Sequence, residues 1–246
     1  MTASPGPTAS LRLSTDEVPA IEREGVAREL FGRQIMRLEG EPIQGLPLRI
    51  DVTMRMLPGL KLVSGPVTGL DTRRTQELLS DGNDDLFLAI GQRGQMIIRQ
   101  RDREADLVPG TAFVGSCGER GDFIHVGCDS IRLMVPRQEL APFVPNLEDR
   151  LATPLPAESE ALRLLLAYLS VLDDGALTGE PDLRWAVVTH IHDLMALAIG
   201  AGRDAGAFAA GRGLRAARLH AIKADISGRI GGGPVSAEDV AGRHGI

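Results

Sequence analysis

Two histidines in the stretch THIHDL, His190 and His192, are the first candidates for chemistry in this 246-residue chain. A metal ion would need both imidazoles on one side. The flanking sequence is helical, and on a helix positions i and i+2 lie ~200° apart, so the pair cannot readily share an ion. The expected arrangement is one histidine packed in an interface and the other exposed, with Asp193 as a solvated neighbour. His125 is the sole imidazole of the preceding β-rich region, too little for a metal-ligand set on neighbouring strands. In GSCGER, Ser116 and Cys117 have a nucleophile's atoms but sit in a run of small residues suited to a strand end. Nucleophile elbow, phosphate loop and dinucleotide fingerprint are all missing. The chain is therefore expected not to be an enzyme, and to need no cofactor or metal.

Composition narrows the remaining classes. A net charge of -6 argues against a wholly basic nucleic-acid binder, though not against a small basic module on an acidic body. MTASPGPTASLRLS lacks the basic and apolar regions of a secretory signal, and reads as a disordered leader over 1–14. No apolar run reaches the ~20 residues that a bilayer crossing needs, so a cytoplasmic protein is expected. Cys117 and Cys128 are read as buried or semi-buried thiols. Placed eleven positions apart, they can also face each other across a hairpin as a redox switch.

The elements that must position these residues change character along the chain. Thr15, Asp16 and Glu17 are expected to cap a short helix with Val18, Ile21, Val26 and Leu30 on one side. From Leu46 to Pro136 the pattern is β. LRIDVTMRML alternates, with Leu48, Ile50, Val52, Met54 and Met56 on one face. Further short strands follow, with hairpin turns expected at Gln92-Arg93-Gly94 and Gln100-Arg101-Asp102-Arg103, and a Pro-Gly turn in VPGTAF. Many short antiparallel strands predict a sandwich or barrel such as a jelly roll. A barrel interior can line a ligand cavity, drawn here from Met54, Met56, Phe87, Ile97, Phe113, Phe123 and Met134, most of them plain core.

From Ala157 the period becomes helical. Leu162, Leu165, Leu166, Leu169 and Leu172 form one stripe, and Leu183, Val187, Ile191 and Leu194 form another after a loop, with Pro181 suited to a first helical turn. The two helices are expected to make a hairpin whose stripes form a homodimer contact. A Gly/Ala-rich linker follows. The tail is then basic: Arg212, Arg215, Arg218, Lys223, Arg229 and Arg243 outnumber Asp225, Glu238 and Asp239. In SAEDVAGRHGI, Ser236 is a good N-cap and Gly245 a left-handed stop, which is how a helix-turn-helix opens.

This order of parts resembles the AraC/XylS-type transcriptional regulators with an AraC-binding-like, cupin-type amino-terminal domain. LRAARLHAIKADISGRI followed by PVSAEDVAGRHGI is similar to the opening of that family's DNA-binding domain. LVPGTAFVGSCGE resembles the sensor's strand-turn-strand, with Thr111 where an acidic residue is usual, and LRWAVVTHIHDLMALAIGA its second helix. The resemblance implies an α+β architecture: an antiparallel β-barrel or jelly roll, a helical hairpin, and the start of an all-α helix-turn-helix domain. The corresponding divisions are a leader at 1–14, a sensor at 15–150, the hairpin at 151–201, a linker at 202–213 and a DNA-binding segment, cut off inside its first motif, at 214–246. Arg215, Arg218, Lys223, Ser236, Arg243 and His244 are the DNA-proximal candidates. Expected partners are DNA for the full-length form, a second copy of the chain and a small-molecule effector, with no membrane. The alternatives are a stand-alone ligand-binding or dimerising module that sequesters partners, and a cupin-type enzyme.

Overall fold

A computed structural model describes residues 9–172 and 180–200. Within them, nine strands make one antiparallel sheet: β1 Ala9–Ser14, β2 Glu39–Pro42, β3 Arg49–Leu57, β4 Leu60–Arg74, β5 Leu86–Gln100, β6 Arg103–Leu107, β7 Ala112–Ser116, β8 Gly121–Val135 and β9 Thr153–Leu155. The hydrogen-bonded path runs β1-β3-β4-β8-β5-β7-β9, with β2 on β4 and β6 on β5. The helices are α1 Arg23–Gly25, which runs into a π-helical segment Val26–Met36, then α2 Arg137–Leu140, α3 Leu147–Arg150, α4 Glu160–Val171 and α5 Pro181–Ile199. Among the described residues no helix is long and apolar enough to cross a membrane.

Alternation along the strands puts a hydrophobic cluster on each face of the sheet. The inner cluster holds Ile50, Val52 and Met54 of β3, Phe87, Met96 and Ile98 of β5, Phe113 of β7 and Phe123, Cys128 and Met134 of β8. The outer one joins Leu86, Leu88 and Ile90 of β5 and Leu133 and Val135 of β8 to α4 and α5. α4 is capped by Ser159, whose Oγ accepts from the Leu162 amide at 3.3 Å. α5 starts on Pro181 and stops at Gly200 in the left-handed region.

β4, β5 and β8 each run for fifteen residues, and each changes which of its rows points inward at mid-length. On β8, Phe123 and His125 give way to Cys128, Arg132 and Met134 as the inner row. On β5 the register against β8 shifts between Gly91 and Arg93 and again between Gln95 and Met96. Such bulges bend a strand and raise its twist. Gly94 makes the β5 bulge possible: its φ is +69°, and a Cβ there would lie 1.8 Å from the Gly127 carbonyl oxygen.

Several expectations are corrected by these facts. Gln92-Arg93-Gly94 is a bulge inside β5 and not a hairpin turn, so Met96 and Ile98 face inward while Ile97 does not. The next expected turn is present: Arg101 and Asp102 both have positive φ, the two-residue geometry whose twist matches its strands. Met56 is exposed. Within the expected leader, residues 9–14 form β1, paired from Ala9↔Met56 to Ser14↔Asp51. Thr15 caps no helix; its Oγ1 accepts from the Ile50 amide at 2.9 Å, closing that ladder. Ile21 is exposed, and Ala27 and Phe31 of the π-helical segment supply the buried positions.

The hairpin stripe is corrected as well. Leu162, Leu165, Val187 and Ile191 are buried against the chain's own sheet, and Leu166, Leu169, Leu172 and Leu194 pack on the same cluster. Leu183 is exposed, with Leu164 and Trp185. The stripe is core because the outer sheet face is apolar and must be covered.

Two stability measurements check this account. Gly94→Ala is expected to destabilise by about 2 kcal/mol or more, from forbidden φ and backbone overlap; an unchanged denaturant midpoint would contradict the bulge. Leu165→Lys is expected to cost about 3 kcal/mol or more by burying an amine in the outer core, and sedimentation of the still-folded fraction should show no change in association.

Candidate ligand site on the inner face

β8 brings a charged residue into the inner cluster. Arg132 lies between Ile131 and Leu133, and by alternation it shares the inward row of Met134. Its guanidinium carbon sits 4.5 Å from the centroid of Phe123 and 5.1 Å from that of Phe87. The two rings meet edge to face at 5.7 Å, and Phe113 stacks on Phe87 at 6.2 Å. Aromatic faces attract a desolvated cation by about 2 kcal/mol.

Cavities flank the guanidinium. One, of about 40 Å³, is lined by Ile35, Met36, Lys61, Cys117, Phe123 and Arg132 among others. The other, of about 30 Å³, is lined by Phe31, Met36, Val63, His125, Ser130 and Arg132 among others. Each has room for a water or a few small-ligand atoms. The π-helical segment and Leu38 just after it supply one side of both, through Phe31, Ile35, Met36 and Leu38. An insertion of that helical type is rare and often marks a functional site.

The charges around the cavities are unequal. Neither lining includes an aspartate or glutamate, whereas Arg37, Lys61, Arg74 and Arg132 contribute cations. Arg74 is satisfied: it donates to Asp81 at 2.6 Å, to the Cys117 carbonyl at 3.0 Å and to the Arg37 carbonyl at 2.9 Å. That guanidinium holds the Asp81 carboxyl below its usual range. Lys61 shares its field with Asp85, whose carboxyl is raised by burial and lowered by that lysine. Arg132 has its two aromatic faces and, among the described residues, neither a hydrogen bond nor an ion pair. Burial pulls its guanidinium below the usual value. Arginines elsewhere that lack a protein partner, such as Arg93, Arg120 and Arg163, are exposed to water, whereas Arg132 is half-buried.

The neighbouring titratable groups are held neutral. His125, fully inside, is pushed down to about 3 by burial and then by the charge of Arg132. Its Nδ1 lies 3.5 Å from Cys128 Sγ. Burial pushes the thiols of Cys117 and Cys128 up to about 11. Both are free cysteines on different strands or strand ends, and they do not oppose each other in a hairpin. The site can therefore hold a ligand by the charges of Arg132 and Lys61 and by apolar lining, and it has no activated nucleophile of its own.

The residues expected from the sequence fall in three places. Met54, Phe87, Phe113, Phe123 and Met134 are all inner-cluster residues, and Phe87, Phe123 and Met134 line the larger of the two cavities. His192 is buried on the hairpin, its Nε2 2.8 Å from the Gly59 carbonyl, and His190 is exposed beside the Tyr168 hydroxyl at 3.2 Å. Arg215, Arg218, Lys223, Ser236, Arg243 and His244 lie outside the described residues, as does the linker at 202–213. Arg132 was not anticipated, although its place two positions before inward Met134 signals it. A larger open hollow of about 860 Å³ lies at the Arg73, Arg99, Arg101 and Arg103 end of the sheet. Its arginines are largely matched, Arg99 by Glu104, Arg101 by Glu119 and Glu148, and Arg73 by Asp71.

A family model described as an AraC-binding-like domain matches residues 27–199. No curated protein matches by sequence. Among solved structures, the AraC-like transcriptional activator CuxR aligns with 97% of this chain and 84% of its own, at 18% identity and a TM-score of 0.64. That likeness is one of fold. The Clostridium difficile EutQ protein aligns with 35% of this chain and 68% of its own, at 14% identity and a TM-score of 0.28, too low to carry an argument. The family match spans β2 to β9, both cavities and the hairpin, and the chain belongs to the AraC-binding-like domain family.

Proposed function

We propose that the chain is the effector-sensing part of an AraC-type transcriptional regulator, with a small molecule bound on the inner face of the sheet under Val26–Met36. The observation that carries this reading is the pair of cavities that meet at Arg132 inside an otherwise apolar cluster. Family membership and the fold-level likeness to an AraC-like activator support it. Ligand pockets of this kind are apolar with a few convergent polar groups. The neutral state of His125 and the raised thiols of Cys117 and Cys128 favour binding over turnover, and we read the protein as non-catalytic.

DNA reading falls to the basic segment 214–246. There Arg215, Arg218, Lys223 and Arg243 would neutralise phosphates, Ser236 would open the first helix of the motif, and His244 would lie at its end. Self-association falls to the hairpin, through Leu164, Leu183 and Trp185, which leave apolar surface exposed on α4 and α5.

Two experiments test these roles. In a thermal-shift screen of small metabolite-like molecules, at least one compound should raise the melting temperature, since a ligand at a hundred times its Kd stabilises by about 2.7 kcal/mol. Met36→Trp, at a half-buried position bordering both cavities, should abolish that shift, and a screen with no such compound rejects the pocket. In sedimentation, the chain should be a dimer and Leu183→Lys with Trp185→Lys a folded monomer; a dimer that survives both changes removes the hairpin assignment.

A further inference from the structure

We infer that the ligand of the inner-face site is a small organic carboxylate, its carboxylate on Arg132 and its apolar body against Phe31, Met36 and Leu38. The inference rests on the sensor reading above and adds the ligand's chemical class. Four observations lead to it. Arg132 is half-buried between the sheet and the π-helical segment and borders both cavities, and it has no acceptor among the described residues. The cavities on either side of it are lined without any carboxylate. The buried arginine at the same place, Arg74, has three acceptors, so the fold satisfies its own structural arginine and leaves Arg132 open. The smaller cavity is otherwise mostly aliphatic and aromatic, through Phe31, Met36, Leu38, Val52, Val63 and Val67, while the larger adds Arg37, Lys61, Asn83 and Ser116.

The physical argument is one of unmatched charge. A cation partly withdrawn from water without a counter-charge carries a desolvation cost, and an apolar residue in its place is often neutral or stabilising. The charge is stabilised in part by the faces of Phe87 and Phe123, which hold the guanidinium but accept none of its N–H groups in the plane. Its planar fork of donors matches a carboxylate in bidentate geometry. An organic anion with an apolar body satisfies the fork and sets that body against the aliphatic lining of the smaller cavity, whose side chains must give way around it. Inorganic phosphate offers no such body, and a neutral sugar leaves the charge unmatched.

The test uses the full chain with benzoate, hexanoate, their neutral amides benzamide and hexanamide, and inorganic phosphate, each titrated to about 10 mM in a thermal-shift and calorimetric series. At least one carboxylate should raise the melting temperature by about 5 °C or more, and its amide should bind at least tenfold more weakly. Arg132→Met should lose carboxylate binding while melting, without ligand, no lower than the parent chain, because methionine packs on both rings and removes the unmatched charge. Arg132→Lys should retain weakened binding, since it keeps the charge and loses the fork. No shift with either carboxylate, or a shift with phosphate alone, overturns the inference. So does an Arg132→Met chain that melts several degrees lower, which would make the charge structural. If the amides bind as tightly as the acids in both parent and Arg132→Met, the pocket stands and its anion preference falls. If no acid or amide binds and Met36→Trp changes nothing, the sensor reading falls with it.

Discussion

For a single sheet to curl over its own inner cluster, its longest strands must bend, and β4, β5 and β8 bend where their alternation is interrupted. The interruption has a geometric consequence beyond curvature. A flat strand sends every second side chain to one face, so residues of opposite parity part company. Across the kink at Val126 and Gly127 they do not, and odd-numbered Phe123 and His125 share an interior with even-numbered Cys128, Arg132 and Met134. Gly94 sits against Gly127 at this level, with no room between them for a side chain. The candidate site exists because of that junction: Phe123 from one half of β8 and Arg132 from the other come within 4.5 Å.

The outer face sets the second constraint. Leu86, Leu88, Ile90, Leu133 and Val135 form an apolar surface that water would otherwise wet, and α4 and α5 cover it. Sheet and hairpin therefore share one core. His192 adds a polar tie, reaching from α5 to the Gly59 carbonyl in the β3–β4 turn. The histidine pair that looked like a metal motif is thus divided between a buried anchor and a surface contact with Tyr168.

Much of this was legible in the residues, and what was not has identifiable causes. The alternation of β3, the Pro-Gly turn before β7 and the Pro181 start of α5 follow from local chemistry, and the structure has them where expected. The bulge at 92–94 was read as a turn because glycine with a positive φ serves both, and only the partner strand tells them apart. The choice between turn and bulge decides whether Ile97 or Met96 and Ile98 face inward. The leucine stripe was read as a dimer contact because periodicity identifies an apolar face without saying what covers it. Arg132 was overlooked although the inward assignment of Met134 implies it; a lone arginine in SIRLMVP looks like the solvated side of a half-buried strand, and its two ring partners come from β5 and from the far end of β8.

The same alternation that places Arg132 inside places its neighbours outside. Along four consecutive residues of β8, Arg132 and Met134 border the cavity while Leu133 and Val135 are buried under the hairpin. A strand is stiff along its length, and its two faces are fixed to one backbone. A ligand that draws Arg132 toward one cavity therefore acts on a segment whose opposite face is hairpin core. Spatial adjacency alone does not make coupling; two arrangements must exist, with a ligand that prefers one. The unmatched charge provides the differential interaction, since an anion stabilises only arrangements in which the guanidinium can reach it. A sensor of this build needs no long path between ligand and hairpin. The thickness of one β-strand separates them.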